Sequence, residues 1–159
     1  MDIVNKVISK KYLDEQIELH QRDEHYGSQS IDHAPNVKKL MNDFKISDIS
    51  DYGAGKKNLQ SALINSGFKN FDYFPYDPAF PEYGAPKAAN MVACIDVLEH
   101  IEIEYLDNVL EDLRKITKKF IYLCIATGPA NKKLIDGRNA HLIQEPPRWW
   151  LPKLCNLFH

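Results

Sequence analysis

Two uninterrupted apolar runs, NMVACID (Asn90–Asp96) and KFIYLCIAT (Lys119–Thr127), flank a segment whose apolar residues fall on one helical face. A strand that is apolar at successive positions is covered on both sides, which calls for a parallel sheet between helices. Between the runs, over Ile103–Thr117, Leu106, Val109, Leu110 and Leu113 line one side of a helix. Acids sit in its first turns, and Arg114, Lys115, Lys118 and Lys119 follow at its end, as the helix dipole favours. Strand, helix and strand in this order require a right-handed crossover. Ligands of such sheets bind beyond the carboxyl ends of the strands.

The rest of the chain extends the alternation. An amphipathic helix is expected near residues 3–20, with Ile3, Val7, Ile8 and Ile17 as its apolar positions, followed by the polar link QRDEHYGSQSIDHAP. From Pro35 a second helix places Val37, Leu40, Met41 and Phe44 on one face. ISDISDY (Ile46–Tyr52) reads as the first strand, and Leu59, Ala62 and Leu63 as the buried stripe of a helix that stops at Gly67. FKNFDYFPYD is aromatic enough for a second strand ending near Asp77. The 159 residues fit one domain, 1–159. It divides into N-terminal helices over 1–45, a strand-and-helix core over 46–127, and a loop and tail over 128–159.

Charge and cysteine content narrow the partners. A net charge of −2, from 20 basic and 22 acidic residues, provides no positive field for a nucleic-acid backbone. The three cysteines have no metal-ligand spacing, and Cys94 and Cys124 lie inside apolar runs, as expected of a reduced, cytoplasmic protein. Charges scattered through MDIVNKVISKKYLDEQ and the lack of a run near ~18 apolar residues predict neither export nor a membrane span.

The junction after the first strand, DYGAGKKNL, has two glycines, Gly53 and Gly55, that let backbone approach a ligand, with free N–H groups opening the following helix. A turn of this kind is also a plain structural necessity in α/β proteins, and both readings stand on these residues alone. It is not a P-loop, since Lys56 and Lys57 follow the second glycine directly and GxxxxGK[ST] is absent. Asp77 closes the second strand, near the ~20-residue spacing at which an acid meets ribose hydroxyls; as Asp-Pro it equally suits an ordinary turn.

Together, DYGAGKKNL, YDPAF and ACIDVLEHIE resemble the Rossmann-like class I S-adenosylmethionine-dependent methyltransferases, with DVLEHI the most specific of these. With IATGPANKKLIDGRNAHLIQEPPRWWLPKL, the ensemble from Tyr26 to Leu154 looks like a group of small methyltransferase-like proteins of marine bacteria and phages. The resemblance implies S-adenosyl-L-methionine as cofactor. Asp51, Gly53 and Gly55 would surround its methionine moiety, Asp77 its ribose, and Cys94, Ile95 and Asp96 would flank it. Tyr26 and Gly27 would belong to a lid.

Departures from that pattern shape the expected fold, a reduced Rossmann-like parallel sheet with helices on both faces. Lys57 stands where a third glycine is usual, either crowding the turn or pointing outward, and Asn90 stands where an acid is usual. Roughly a dozen residues separate Asp77 from Asn90, too few for a further strand and crossover. The antiparallel hairpin that usually completes the sheet is missing after KFIYLCIAT. That strand, 119–127, then has an open edge, to be covered by the tail WWLPKLCNLFH or by another subunit, and a homo-oligomer is expected there.

Catalytic candidates come from two places. His100 is read either as an acceptor contact or base, or as a residue opening a helix, and Glu99 as helix N-terminal electrostatics. His141, with Arg138 and Glu145 nearby, is read either as acceptor recognition or as a solvated loop. Neither His20, His25 nor His33 has ligand company, so no metal is expected. The reading is methyl transfer to a small-molecule acceptor. Two rivals are a protein that binds the cofactor to degrade or sense it, and a structural module that has lost the cofactor.

Overall fold

The computed structural model describes residues 6–158. Ile3, assigned above to the first helix, lies outside them. Four parallel strands, β1 (Asp48–Tyr52), β2 (Asp72–Tyr76), β3 (Ala89–Ile95) and β4 (Thr117–Cys124), lie in the order β2-β1-β3-β4. β1 is central: Asp51 faces Pro75 of β2 on one side and Ala93 of β3 on the other. The chain thus steps outward from β1 in both directions, and the crevice of such a sheet opens where that direction reverses. Pro75 is accommodated because β2 is an edge, where a missing N–H costs no ladder bond.

The apolar run of β3 is buried on both faces, as its composition requires, whereas that of β4, at the edge of the sheet, is only partly covered. Along β3, Met91, Ala93 and Ile95 face a core shared with α2 (Ser30–Asp43) and α3 (Asn58–Asn65). Val92 and Cys94 face the opposite core, built with α4 (Leu106–Ile116) and α5 (Pro147–Leu157). Asn90, in place of the usual acid, donates its N–H and its Nδ2 to the Asp48 carboxylate, both at 2.8 Å, and so fastens β3 to β1.

α1 (Lys10–Arg22) belongs to neither layer. Ser9 caps it by accepting the Tyr12 N–H at 3.2 Å, and Glu102 holds Ser9 in turn, accepting from its hydroxyl at 2.6 Å. Tyr12 packs with Leu134 and Ala140, so α1 rests on the loop that follows β4.

Several expected boundaries move. Helix α1 starts at Lys10 because Ser9 caps it, and Val7 and Ile8 pack from the segment before it. Helix α2 begins at Ser30, not Pro35; the chain enters through tight turns, with Ile31 N–H on the Ser28 carbonyl and Asp32 N–H on the Gln29 carbonyl, and Pro35 lies inside the helix, where its missing N–H leaves one i→i−4 bond unmade. β4 runs over Thr117–Cys124, starting two residues earlier than expected.

The tail forms α5 and packs on α4 rather than crossing the β4 edge, because Trp150 is drawn into the α4 core. All four strands are parallel, and among the described residues no antiparallel strand joins the sheet after β4; the loop there makes only an isolated antiparallel bridge between Lys133 and Asn139. No helix among the described residues is long and apolar enough to cross a membrane.

Candidate functional site

The glycine turn is stitched to the end of β2. Gly53 and Ala54 donate their N–H groups to the Tyr76 carbonyl at 2.8 and 2.9 Å. Gly53 has φ +82°, and a Cβ there would stand 2.3 Å from a Val97 methyl, so only glycine fits. Lys57 settles the question of the missing third glycine: it takes the left-handed conformation, φ +59°, that a glycine would supply. Its Nζ points outward over the Tyr83 ring, 4.7 Å from the centroid, and Tyr83 donates its hydroxyl to the Gly55 carbonyl at 2.8 Å.

Two acids close the turn. Asp77 accepts the Gly55 N–H and the Ala79 N–H, each at 2.9 Å, leaving each carboxylate oxygen a further lone pair, while burial pushes its carboxyl up. Asp51 is buried beneath and accepts the Tyr73 hydroxyl; burial raises it to about 7.

A cavity of about 540 Å³ opens over these groups, within the 300–1,000 Å³ usual for ligand sites. Of the residues singled out in the sequence, Asp51, Gly53, Gly55, Asp77, Ile95, Asp96, Tyr26, Gly27, His100 and His141 all line it. Cys94 does not, because strand alternation turns its side chain into the α4 core. Glu145 does not either; it is half-buried on the segment leading into α5. Arg138 is taken up by Asp136 at 2.8 Å and Glu15 at 3.8 Å, so the expected trio of Arg138, His141 and Glu145 is not assembled.

The sequence reading missed the cavity's roof. Tyr12, Gln16 and His20 of α1 all line it, and Tyr12 Oη, Gln16 Nε2 and His20 Nδ1 are buried with no protein partner. Buried polar atoms in native proteins find partners, so three orphans facing one cavity fit a polar ligand. Their spacing, i, i+4 and i+8, was a legible signal. Burial, aided by Lys56, holds the His20 imidazole down to about 4. Tyr26 donates its hydroxyl to Gln16 Oε1 at 2.9 Å, and burial raises it to about 12. Lys132 pairs with Asp23, and Lys56 Nζ donates to the Asp23 carbonyl at 2.7 Å, tying the segment after α1 to both the loop after β4 and the glycine turn.

The other wall is a histidine corner. DVLEH opens no α-helix: Leu98–His100 forms one 3₁₀ turn, which turns Glu99 inward until it is fully buried, not onto a helix end. Glu99 Oε1 accepts the Ala126 N–H at 2.9 Å, and burial raises its carboxyl to about 7. His100 donates Nδ1–H to the Ala140 carbonyl at 2.8 Å, and burial, then His141, lowers it to about 4. His141 donates Nδ1–H to the Gly128 carbonyl at 2.7 Å, and the two rings meet edge to face at 4.9 Å. Asp96, at φ +52°, accepts the Cys124 thiol at 3.2 Å.

Comparison with solved structures bears on the fold. A DhpI-SAM-HEP complex aligns over 94% of this chain and 90% of its own, with a TM-score of 0.58 and 12% identity. A DhpI-SAH complex aligns over 94% and 88%, with a TM-score of 0.55 and 12% identity. The fold is shared. This chain is a Rossmann-like α/β protein with an all-parallel four-stranded sheet. No protein-family model and no curated protein sequence matches it.

Proposed function

We propose that this chain binds S-adenosyl-L-methionine and transfers its methyl group to a small-molecule acceptor. The observation that carries the reading is the meeting, in one cavity, of the glycine turn, Asp77 at the end of β2 and the three unpartnered polar atoms of α1. The shared fold supports it, since DhpI was solved with SAM and with SAH, the methylated and demethylated forms of one molecule.

The residues fit such a cofactor. Asp77 keeps lone pairs for two ribose hydroxyls, and Gly53 and Gly55 line the cavity with no side chain between their backbone and a ligand. Asp51 offers a carboxylate to a cationic amino acid end, and a cation there favours its ionised form. Tyr12, Gln16, His20 and Tyr26 line the cavity and would shield a bound cofactor from water. When bound, the cofactor supplies a methyl carbon on a positively charged sulfur. The protein's task is to hold an acceptor in line with it and, for a weakly acidic acceptor, to take up a proton. His100 and His141 would contact that acceptor, each fixed in orientation by its Nδ1–H on a backbone carbonyl.

Calorimetric titration with S-adenosylmethionine and its demethylated product tests the binding step. Incubation with methyl-labelled cofactor and a small-metabolite extract tests the transfer. A labelled small molecule formed only with active protein supports methyl transfer. Cofactor consumed without any labelled product would point to degradation, and no binding of either compound would overturn the reading.

A further inference from the structure

We infer that Glu99, His100 and His141 form a binding site for a divalent transition-metal ion on the acceptor side of the cavity. One ring nitrogen of each histidine and one carboxylate oxygen of Glu99 lie within 4.8 Å of one another. Two imidazoles and a carboxylate are a donor set suited to zinc, iron, cobalt or nickel, whereas magnesium and calcium favour oxygen alone.

The second observation is independent of that clustering. Glu99 has 0% exposure, one oxygen satisfied by the Ala126 amide, and the other, Oε2, with no partner. A carboxylate oxygen buried without a donor is costly, and a cation would satisfy it. The histidines are prepared in the way metal ligands are. Each donates Nδ1–H to a main-chain carbonyl, Ala140 for His100 and Gly128 for His141, which fixes the ring and leaves the lone pair on Nε2. Asp96 lines the cavity beside them, close enough for its charge to act on both Glu99 and His100.

No local pattern in the chain announces this site, because its ligands come from a 3₁₀ turn and a loop far apart in sequence. Resting on the proposed methyl transfer, the site deepens it by naming the acceptor class: a small molecule with an oxygen that can bind the ion. A hydroxyl held there loses its proton to solvent more readily, its electron pair staying on oxygen.

The test uses untagged full-length chain freed of metal by chelation, titrated with cobalt(II) alone and followed by its visible absorption. The expected result is saturable binding of about one ion per chain, weakened about tenfold or more in both His141→Ala and Glu99→Gln. Glu145→Gln, outside the cavity, should bind as the parent does. His141→Ala leaves the buried carboxylate in place, so it serves if Glu99→Gln does not fold. Absence of saturable binding, or binding indifferent to His141→Ala, would overturn the site. Cobalt binding is read without the cofactor, so its failure is separate from failure of the cofactor titration.

Discussion

Asp77 Oδ2 accepts the Gly55 amide at 2.9 Å, so the acid that follows β2 is locked onto the turn that follows β1. This contact presets the carboxylate for a ligand lying across both strands. Asp77→Ala should weaken S-adenosylmethionine binding by about 1.5–3 kcal/mol, the range for a lost hydrogen bond to a charged group. Asp77→Asn, which keeps an acceptor oxygen, should lose less. Calorimetry that finds the alanine variant binding like the parent would remove Asp77 from the site.

Gly53 predicts a stability effect of a different origin. With φ +82° and a Cβ position 2.3 Å from Val97, Gly53→Ala meets both backbone strain and overlap. A loss of about 2–4 kcal/mol is expected. Adding Val97→Ala should recover the share due to overlap and none of the share due to φ. Denaturant unfolding of the single and double variants separates the two, and a harmless Gly53→Ala would show that the turn can relax.

Much of this was legible in the chain itself. Continuous apolar runs announced β3 and β4, and the glycine turn with Asp77 marked one wall of the cavity, because strand ends and turns leave local signatures. The roof and the histidine corner were harder to read. The spacing of Tyr12, Gln16 and His20 sets them on one helix face, but nothing local says that α1 leaves the sheet to rest on the loop carrying Leu134 and Ala140. Glu99 looked like a helix opener, and only the 3₁₀ turn reveals that it points into the core. His141 and Glu145 are near in sequence but diverge at the cavity wall, since sequence proximity in a loop does not set direction.

Asp51 gives a pH signature. Its carboxyl is raised by burial to about 7, against about 4 in an unfolded chain. Between those values the folded chain holds a proton that the unfolded chain has released, so this contribution to stability is complete below pH ~4, falls as pH rises, and levels off above pH ~7. His20 and His100 act in the opposite sense below pH ~6.5, since burial lowers both to about 4 and the unfolded chain takes up protons they refuse. Comparing Asp51→Asn with the parent isolates the carboxyl. The variant's stability relative to the parent should climb through this window by at most about 1.4 kcal/mol per pH unit. A flat difference in urea midpoints would mean that Asp51 is ionised in the folded chain.

The tail makes the last prediction, and it differs from the one the sequence invited. By sequence, the tail WWLPKLCNLFH, with Trp150 among its apolar residues, is expected to cover the open edge of β4 itself or to meet another subunit there. In the structure Trp150 is 2% exposed, meets Trp149 edge to face at 4.9 Å, and belongs to the core that α4 contributes to. Substituting it should therefore unfold rather than dissociate: Trp150→Ala should cost about 3–5 kcal/mol, as for a large aromatic removed from a core. The β4 edge is guarded differently. Lys118 and Lys119 are exposed at its start, and Phe120 leans on Phe44 at 4.3 Å with both rings partly in solvent. A homo-oligomer formed at this edge would have to use Phe120 and Phe44 without the tail. Sedimentation combined with denaturation distinguishes these roles: Phe120→Asp should leave the unfolding midpoint near that of the parent while removing any dimer, and a dimer that survives Phe120→Asp would place its contact elsewhere.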